Sequence, residues 1–214
     1  MLKKIRSQDL SYSTKNLFPS VIHQFDVNGF CEIKDKLIDY VYDCKKNDSE
    51  GRGEWQSITF SFNDKDTKDI LQSFLTDCLA EFSSIKKSVN LSVRAWVNIS
   101  KPGGHLAKHH HPDCNLAGVL WIKAPQNSGD IVFDSPRTFD PFLQSAKNGE
   151  IDSYTDDFKD KGNIHLDYYF PPTEGRILIF PSYLEHQVKE NKSNEDRISV
   201  SFNIKLGLSE ELTI

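Results

Sequence analysis

Near residue 90 the apolar residues change their spacing, and that change constrains the fold more than any other feature of the sequence. Leu91, Val93, Ala95, Val97 and Ile99 alternate with Ser92, Arg94, Trp96 and Asn98, the two-residue period of a strand with one buried face. Short apolar runs follow from Leu116 to Ile122, Ile131 to Phe133, Leu166 to Phe170, Arg176 to Phe180, Glu185 to Val188 and Ile198 to Leu206. Turn-forming stretches separate them: Pro102-Gly103-Gly104, Asn127-Ser128-Gly129-Asp130, Pro171-Pro172, and Asn191 to Asp196. Some seven short strands in about 115 residues predict an all-β sandwich or small barrel.

The first half reads differently. Ile33, Leu37, Ile38, Val41 and Tyr42 form a helical stripe that ends near Asn47-Asp48-Ser49. Ile70, Leu71, Phe74, Leu75, Cys78, Leu79 and Phe82 form a second, with Asp64, Asp66 and Asp69 before it and Lys86 and Lys87 after it, as the helix dipole favours. Neither stripe carries readable chemistry, so both are expected to pack outside the strands. With 214 residues the chain reads as one domain, a helical and mixed part over 1–88 and a β core over 89–208. A polar, acidic segment over 139–163 interrupts the strand rhythm and is long for a plain connection.

Composition excludes several functions. Acidic residues number 31 against 26 basic, for a net charge of −5, which argues against a nucleic-acid surface and gives no reason to expect an anionic membrane. No run approaches the roughly 20 apolar residues of a membrane span, and no apolar stretch follows the basic start to make a secretion signal. Cys31, Cys44, Cys78 and Cys114 form no C-x-x-C pair, so free thiols in a reducing, cytoplasmic setting are expected. Oligomeric state leaves no trace in the sequence.

Chemistry concentrates in the histidines. His105, His109, His110 and His111 crowd together just after the Leu91 to Ile99 strand and its Gly-Gly turn. On a strand, His109 and His111 share one face while His110 points away, and two imidazoles on one face can hold a divalent metal. His186 follows a later strand and turn, where an antiparallel barrel can bring a third ligand beside that pair. Unbound imidazoles titrate near 6.5, so metal occupancy is expected to fall below about pH 6. Arg197 and Ser199 lie two apart on the last strand, where a guanidinium and a hydroxyl aimed together make a carboxylate receptor.

This constellation of two close histidines, a distant one and an R-x-S resembles the iron(II)- and 2-oxoglutarate-dependent oxygenases. Trp96-Val97-Asn98, His109-His110-His111-Pro112, Ala117-Gly118-Val119-Leu120-Trp121, Asp134-Ser135-Pro136-Arg137, Phe180-Pro181-Ser182 and Arg197 to Asn203 are similar to one branch of that family, found in bacteria and phages. The resemblance implies a double-stranded β-helix, or jelly roll, with flanking N-terminal helices. It implies Fe(II) held by His109, His111 and His186, and 2-oxoglutarate whose far carboxylate meets Arg197 and Ser199. Dioxygen and a further substrate would be the reaction partners, with succinate and carbon dioxide released as the substrate is hydroxylated. Asn98 is expected to line the 2-oxoglutarate pocket; Trp96 is expected to pack within its sheet, and Trp121 and Phe180 to fill core.

The usual iron site has two histidines and a carboxylate. Reading His111-Pro112-Asp113 as the motif would supply the acid through Asp113, whereas the H-x-H-P pattern of the resembled branch favours His109 and His111. Two other readings share the barrel. Gly175, Pro181 and His186 partly match the second cupin signature, with Tyr183 and Glu190 in place of its glycine and asparagine. That suggests a cupin-type three-histidine metal enzyme. The remaining reading is a non-catalytic, metal-binding jelly-roll module.

Overall fold

The strand pattern resolves into two antiparallel sheets in the computed structural model, which describes residues 20–46, 55–56, 90–137 and 167–207. The elements are β1 (His23–Asp26), α1 (Cys31–Lys46), β2 (Trp55–Gln56), β3 (Asn90–Ser100), β4 (Leu106–His109), β5 (Leu116–Lys123), β6 (Ile131–Asp134), β7 (Asp167–Phe170), β8 (Arg176–Pro181), β9 (His186–Val188) and β10 (Arg197–Gly207). One sheet runs β1-β8-β5-β10-β3-β2 and the other β4-β9-β6-β7. This is the mainly β jelly roll expected from the sequence. Contacts divide the chain into two compact units, Met1–Ser20 with Arg137–Leu166 and Val21–Pro136 with Asp167–Ile214, and every element named above belongs to the second. The helix expected over 70–82 and the 139–163 segment fall outside the described residues.

Alternation along the strands builds two cores. On β10, Ile198, Val200, Phe202 and Ile204 point to one side and join Val97 and Ile99 of β3, Leu120 and Ile122 of β5, and Ile177 and Ile179 of β8. Helix α1 covers this face with Leu37 and Val41 buried, while Ile33, Ile38 and Tyr42 pack around them. Glu32 in the first turn of α1 and Lys45 and Lys46 in the last oppose the helix dipole favourably. Opposite side chains of the same strands, Ala117, Val119, Trp121, Leu178 and Phe180, face the smaller sheet and pack on Ile131 and Phe133 of β6.

Gly118 marks a close approach between strands. It pairs with Phe202, and a Cβ on it would lie 2.3 Å from the Phe202 ring and 2.6 Å from the Leu178 carbonyl oxygen. The missing side chain leaves room for Phe202 to bury its ring, a contribution of about 1.5–3 kcal/mol.

Candidate metal centre

On the smaller sheet, β4 pairs with β9 so that His109 stands directly opposite His186. Facing positions on adjacent strands bring side chains together, and the two ring centroids are 4.3 Å apart. The chain leaves β4 at His109, so His111 lies just past the strand and not on it as the sequence pattern suggests. The chain beyond it still returns His111 to the side of His109 and leaves His110 exposed. The His111 amide donates to the Ser182 carbonyl at 2.9 Å, which fixes this departure. The His111 ring lies 5.2 Å from both of the others and is stacked on His186.

The three rings fit a cation. One ligand nitrogen from each of His109, His111 and His186 lies within 4.8 Å of the others, and the group contains no carboxylate. Nδ1 of His109 approaches the Ala107 carbonyl at 2.9 Å, and Nδ1 of His186 approaches the Leu184 carbonyl at 2.9 Å. A carbonyl can only accept, so both Nδ1 atoms hold the proton and both Nε2 atoms keep a lone pair for a metal. Burial is the main cause that pushes His186 down to about 4, with the nearby His109 and His111 acting in the same sense and the Leu184 carbonyl opposing them. His111 is likewise lowered to about 4, first by burial and then by His109. Both rings are therefore neutral near pH 7, as metal ligation requires. Asp113 is exposed in the turn beyond His111 and stands outside the group.

A cavity of about 290 Å³ joins these histidines to the polar face of β10 and β3. Arg197, Ser199 and Asn98 all line it. Arg197 is 5% exposed and Ser199 7%, so both lie in the interior. Nη1 of Arg197 donates to the carbonyls of Ser128 and Gly129 at 2.8 and 3.1 Å, so the turn before β6 sets the direction of the guanidinium. That turn is itself tied down: Lys189 and Lys192 donate backbone N–H bonds to Asp130 and Asn127 at 2.9 Å each. Gly129 has φ of +96°, and a Cβ there would sit 2.1 Å from the Lys189 carbonyl oxygen. Asn98 donates through Nδ2 to Ser201 Oγ at 2.8 Å, joining β3 to β10 inside the cavity.

Trp96 departs from expectation. It lies two residues from Asn98 and so shares its face; it lines the cavity, with its ring centroid 6.1 Å from that of His111. Trp121 and Phe180 are buried in the inter-sheet core as expected, and they also form part of the cavity wall. The carbonyls that hold Arg197, His109 and His186 escape sequence reading because every residue type carries the same carbonyl. The only sequence trace of the Arg197 support is the glycine in Asn127-Ser128-Gly129-Asp130.

Residues 94–203, more than half of the chain, match a family model described as "Putative 2OG-Fe(II) oxygenase". No curated protein matches the sequence. Among solved structures, a prolyl-4-hydroxylase of Pseudomonas putida aligns over 87% of this chain and 93% of its own, at 12% identity and a TM-score of 0.59. A viral collagen prolyl hydroxylase from Paramecium Bursaria Chlorella virus-1, solved as a 2OG complex, aligns over 87% and 96%, at 16% identity and a TM-score of 0.54. HygX from Streptomyces hygroscopicus, solved with nickel and 2-oxoglutarate bound, aligns over 87% and 82%, at 10% identity and a TM-score of 0.57. At such identities these structures share the fold with this chain.

Proposed function

This chain belongs to the 2OG-Fe(II) oxygenase family, an oxidoreductase family using Fe(II) and 2-oxoglutarate, and on that premise we propose that it is a dioxygenase that hydroxylates a C–H bond. His109, His111 and His186 are the proposed ligands of Fe(II), and Arg197, Ser199 and Asn98 the proposed contacts of 2-oxoglutarate. The observation that supports this reading best is that all six side chains line one cavity.

When bound, Fe(II) and 2-oxoglutarate supply dioxygen activation: two electrons come from oxidative decarboxylation to succinate and carbon dioxide, and two from the substrate C–H bond. The chain's own residues do the positioning. His109 and His186 present Nε2 lone pairs because their Nδ1 protons are held by backbone carbonyls. Arg197 offers a buried positive charge, which in a poorly solvated setting favours a carboxylate partner, and Ser199 on the same face adds a hydroxyl donor. Phe180 and Phe133 flank His186, with ring centroids 4.9 and 5.6 Å from it, and keep that side of the centre dry.

The test is anaerobic addition of Fe(II) and then 2-oxoglutarate to metal-free protein, followed by admission of oxygen. A weak visible charge-transfer band, then succinate, is the expected result. Folded, iron-loaded protein that gives neither band nor succinate overturns the proposal.

A further inference from the structure

Two of the three clustered imidazoles have their second nitrogen held by the carbonyl two residues before them, Ala107 for His109 and Leu184 for His186. His111 lies beyond its strand, where the chain offers it no equivalent carbonyl among the described hydrogen bonds. Asn203 comes from the strand beside it, two residues from Ser201, which pairs with Trp96, whose ring centroid lies 6.1 Å from that of His111. It is on β10, on the face shared with Arg197, Ser199 and Ser201, in register with Ala117 of β5 and Arg94 of β3. The turn that carries His111 is fastened to this end of β10: the Asn115 amide donates to the Ile204 carbonyl at 3.0 Å, and Leu206 donates its amide to Asn115 Oδ1 at 2.8 Å. The side-chain oxygen of Asn203 is buried and has no hydrogen-bond partner of standard geometry among the described residues. A buried carbonyl oxygen left without a donor is costly, and such atoms in native structures usually have a role.

We propose that Asn203 is a positioning residue for His111: its side-chain oxygen receives the N–H of the imidazole nitrogen that faces away from the ion, and so fixes the ring orientation that His111 offers. The inference rests on the reading of His109, His111 and His186 as metal ligands. It makes the site's outer support uneven, with two ligands held by their own backbone and the third by a side chain from the far sheet, which alone can be altered by substitution.

Co(II) is the probe, titrated into metal-free wild type, Asn203→Leu and Asn203→Asp, with affinity read from its visible absorption and stability from thermal unfolding without metal. Leucine removes the oxygen at similar volume, and aspartate keeps one in its place. Asn203→Leu is expected to lose about 10- to 100-fold in Co(II) affinity without a lower unfolding temperature, while Asn203→Asp stays within about threefold of wild type or binds more tightly. Equal affinities in wild type and Asn203→Leu overturn the role of Asn203 and leave the metal centre standing. An Asn203→Asp loss as large as that of leucine also overturns it, because packing and not the oxygen would then be at work. If Asn203→Leu does not fold, Asn203→Ala, which removes the same oxygen, is read in its place by the leucine limits. A wild type that binds no Co(II) overturns both this role and the metal centre.

Discussion

Metal-free protein should lose stability in mild acid through His186, by an amount that follows from where its ring lies. The residue is 4% exposed, and burial lowers it from the ordinary 6.5 to about 4. In the unfolded chain the ring takes up a proton near 6.5; in the folded protein it resists until about 4. Between these values the unfolded state binds more protons, so stability rises with pH across the window and falls as pH drops through it. The distance from 6.5 to 4 corresponds to about 3 kcal/mol once pH is below both values, of which about 2 kcal/mol is already lost near pH 5. His111 acts in the same direction. The assay is urea unfolding of metal-free wild type and His186→Gln at about pH 7.5 and about pH 5, with glutamine neutral at both. Carboxylates and the distant histidines titrate in both proteins, so the difference between the two pH dependences reports this ring together with its coupling to His109 and His111. Wild type should lose about 2 kcal/mol more than His186→Gln between these conditions. Parallel losses in the two proteins would refute the argument that a neutral imidazole is buried at this position.

Arg197→Ala should weaken 2-oxoglutarate binding by about 10- to 100-fold, the range of a lost charge-assisted hydrogen bond, with Co(II) affinity in the absence of 2-oxoglutarate unchanged. Calorimetric titration reads both, and undiminished 2-oxoglutarate binding would instead favour the cupin-type reading. Gly129→Ala places a Cβ against the Lys189 carbonyl at a left-handed φ. It should lower stability by about 1–3 kcal/mol and raise the dissociation constant for 2-oxoglutarate, since the displaced turn holds Arg197. A variant that keeps wild-type values in unfolding and in titration would show that the turn does not direct the guanidinium.

The parts of the fold that were legible are those with a long periodic signal. The Ile33 to Tyr42 stripe became α1, and the alternations starting at Leu91 and Ile198 became β3 and β10, because burying one face forces either period. Short edge elements were not legible: β1, His23-Gln24-Phe25-Asp26, and β4, Leu106-Ala107-Lys108-His109, are too brief and too polar to alternate visibly. At the site, residue types and spacing mark His109, His111 and His186, and the structure brings them together. The expectation that His111 sits on a strand failed, since β4 ends two residues earlier. Trp96 and Asn98 lie two apart and share a face, so the spacing that marks Asn98 for the cavity marks Trp96 as well. The expected onset of metal loss below about pH 6 used the ordinary imidazole value. Burial, a property of the folded neighbourhood and not of any local pattern, moves His111 and His186 to about 4.

Among the described residues, strand β4 forms the border of the smaller sheet and is hydrogen-bonded to β9 alone. Border strands fray first and invite foreign strands; this one is only four residues long and its register with β9 shifts between Leu106 and His109. His109 and His186 sit across that seam from each other, so an ion gripped by both would staple the sheet where its backbone ladder is weakest. Loading the metal and closing the seam would then be a single thermodynamic event, with amide exchange along β4 as its gauge.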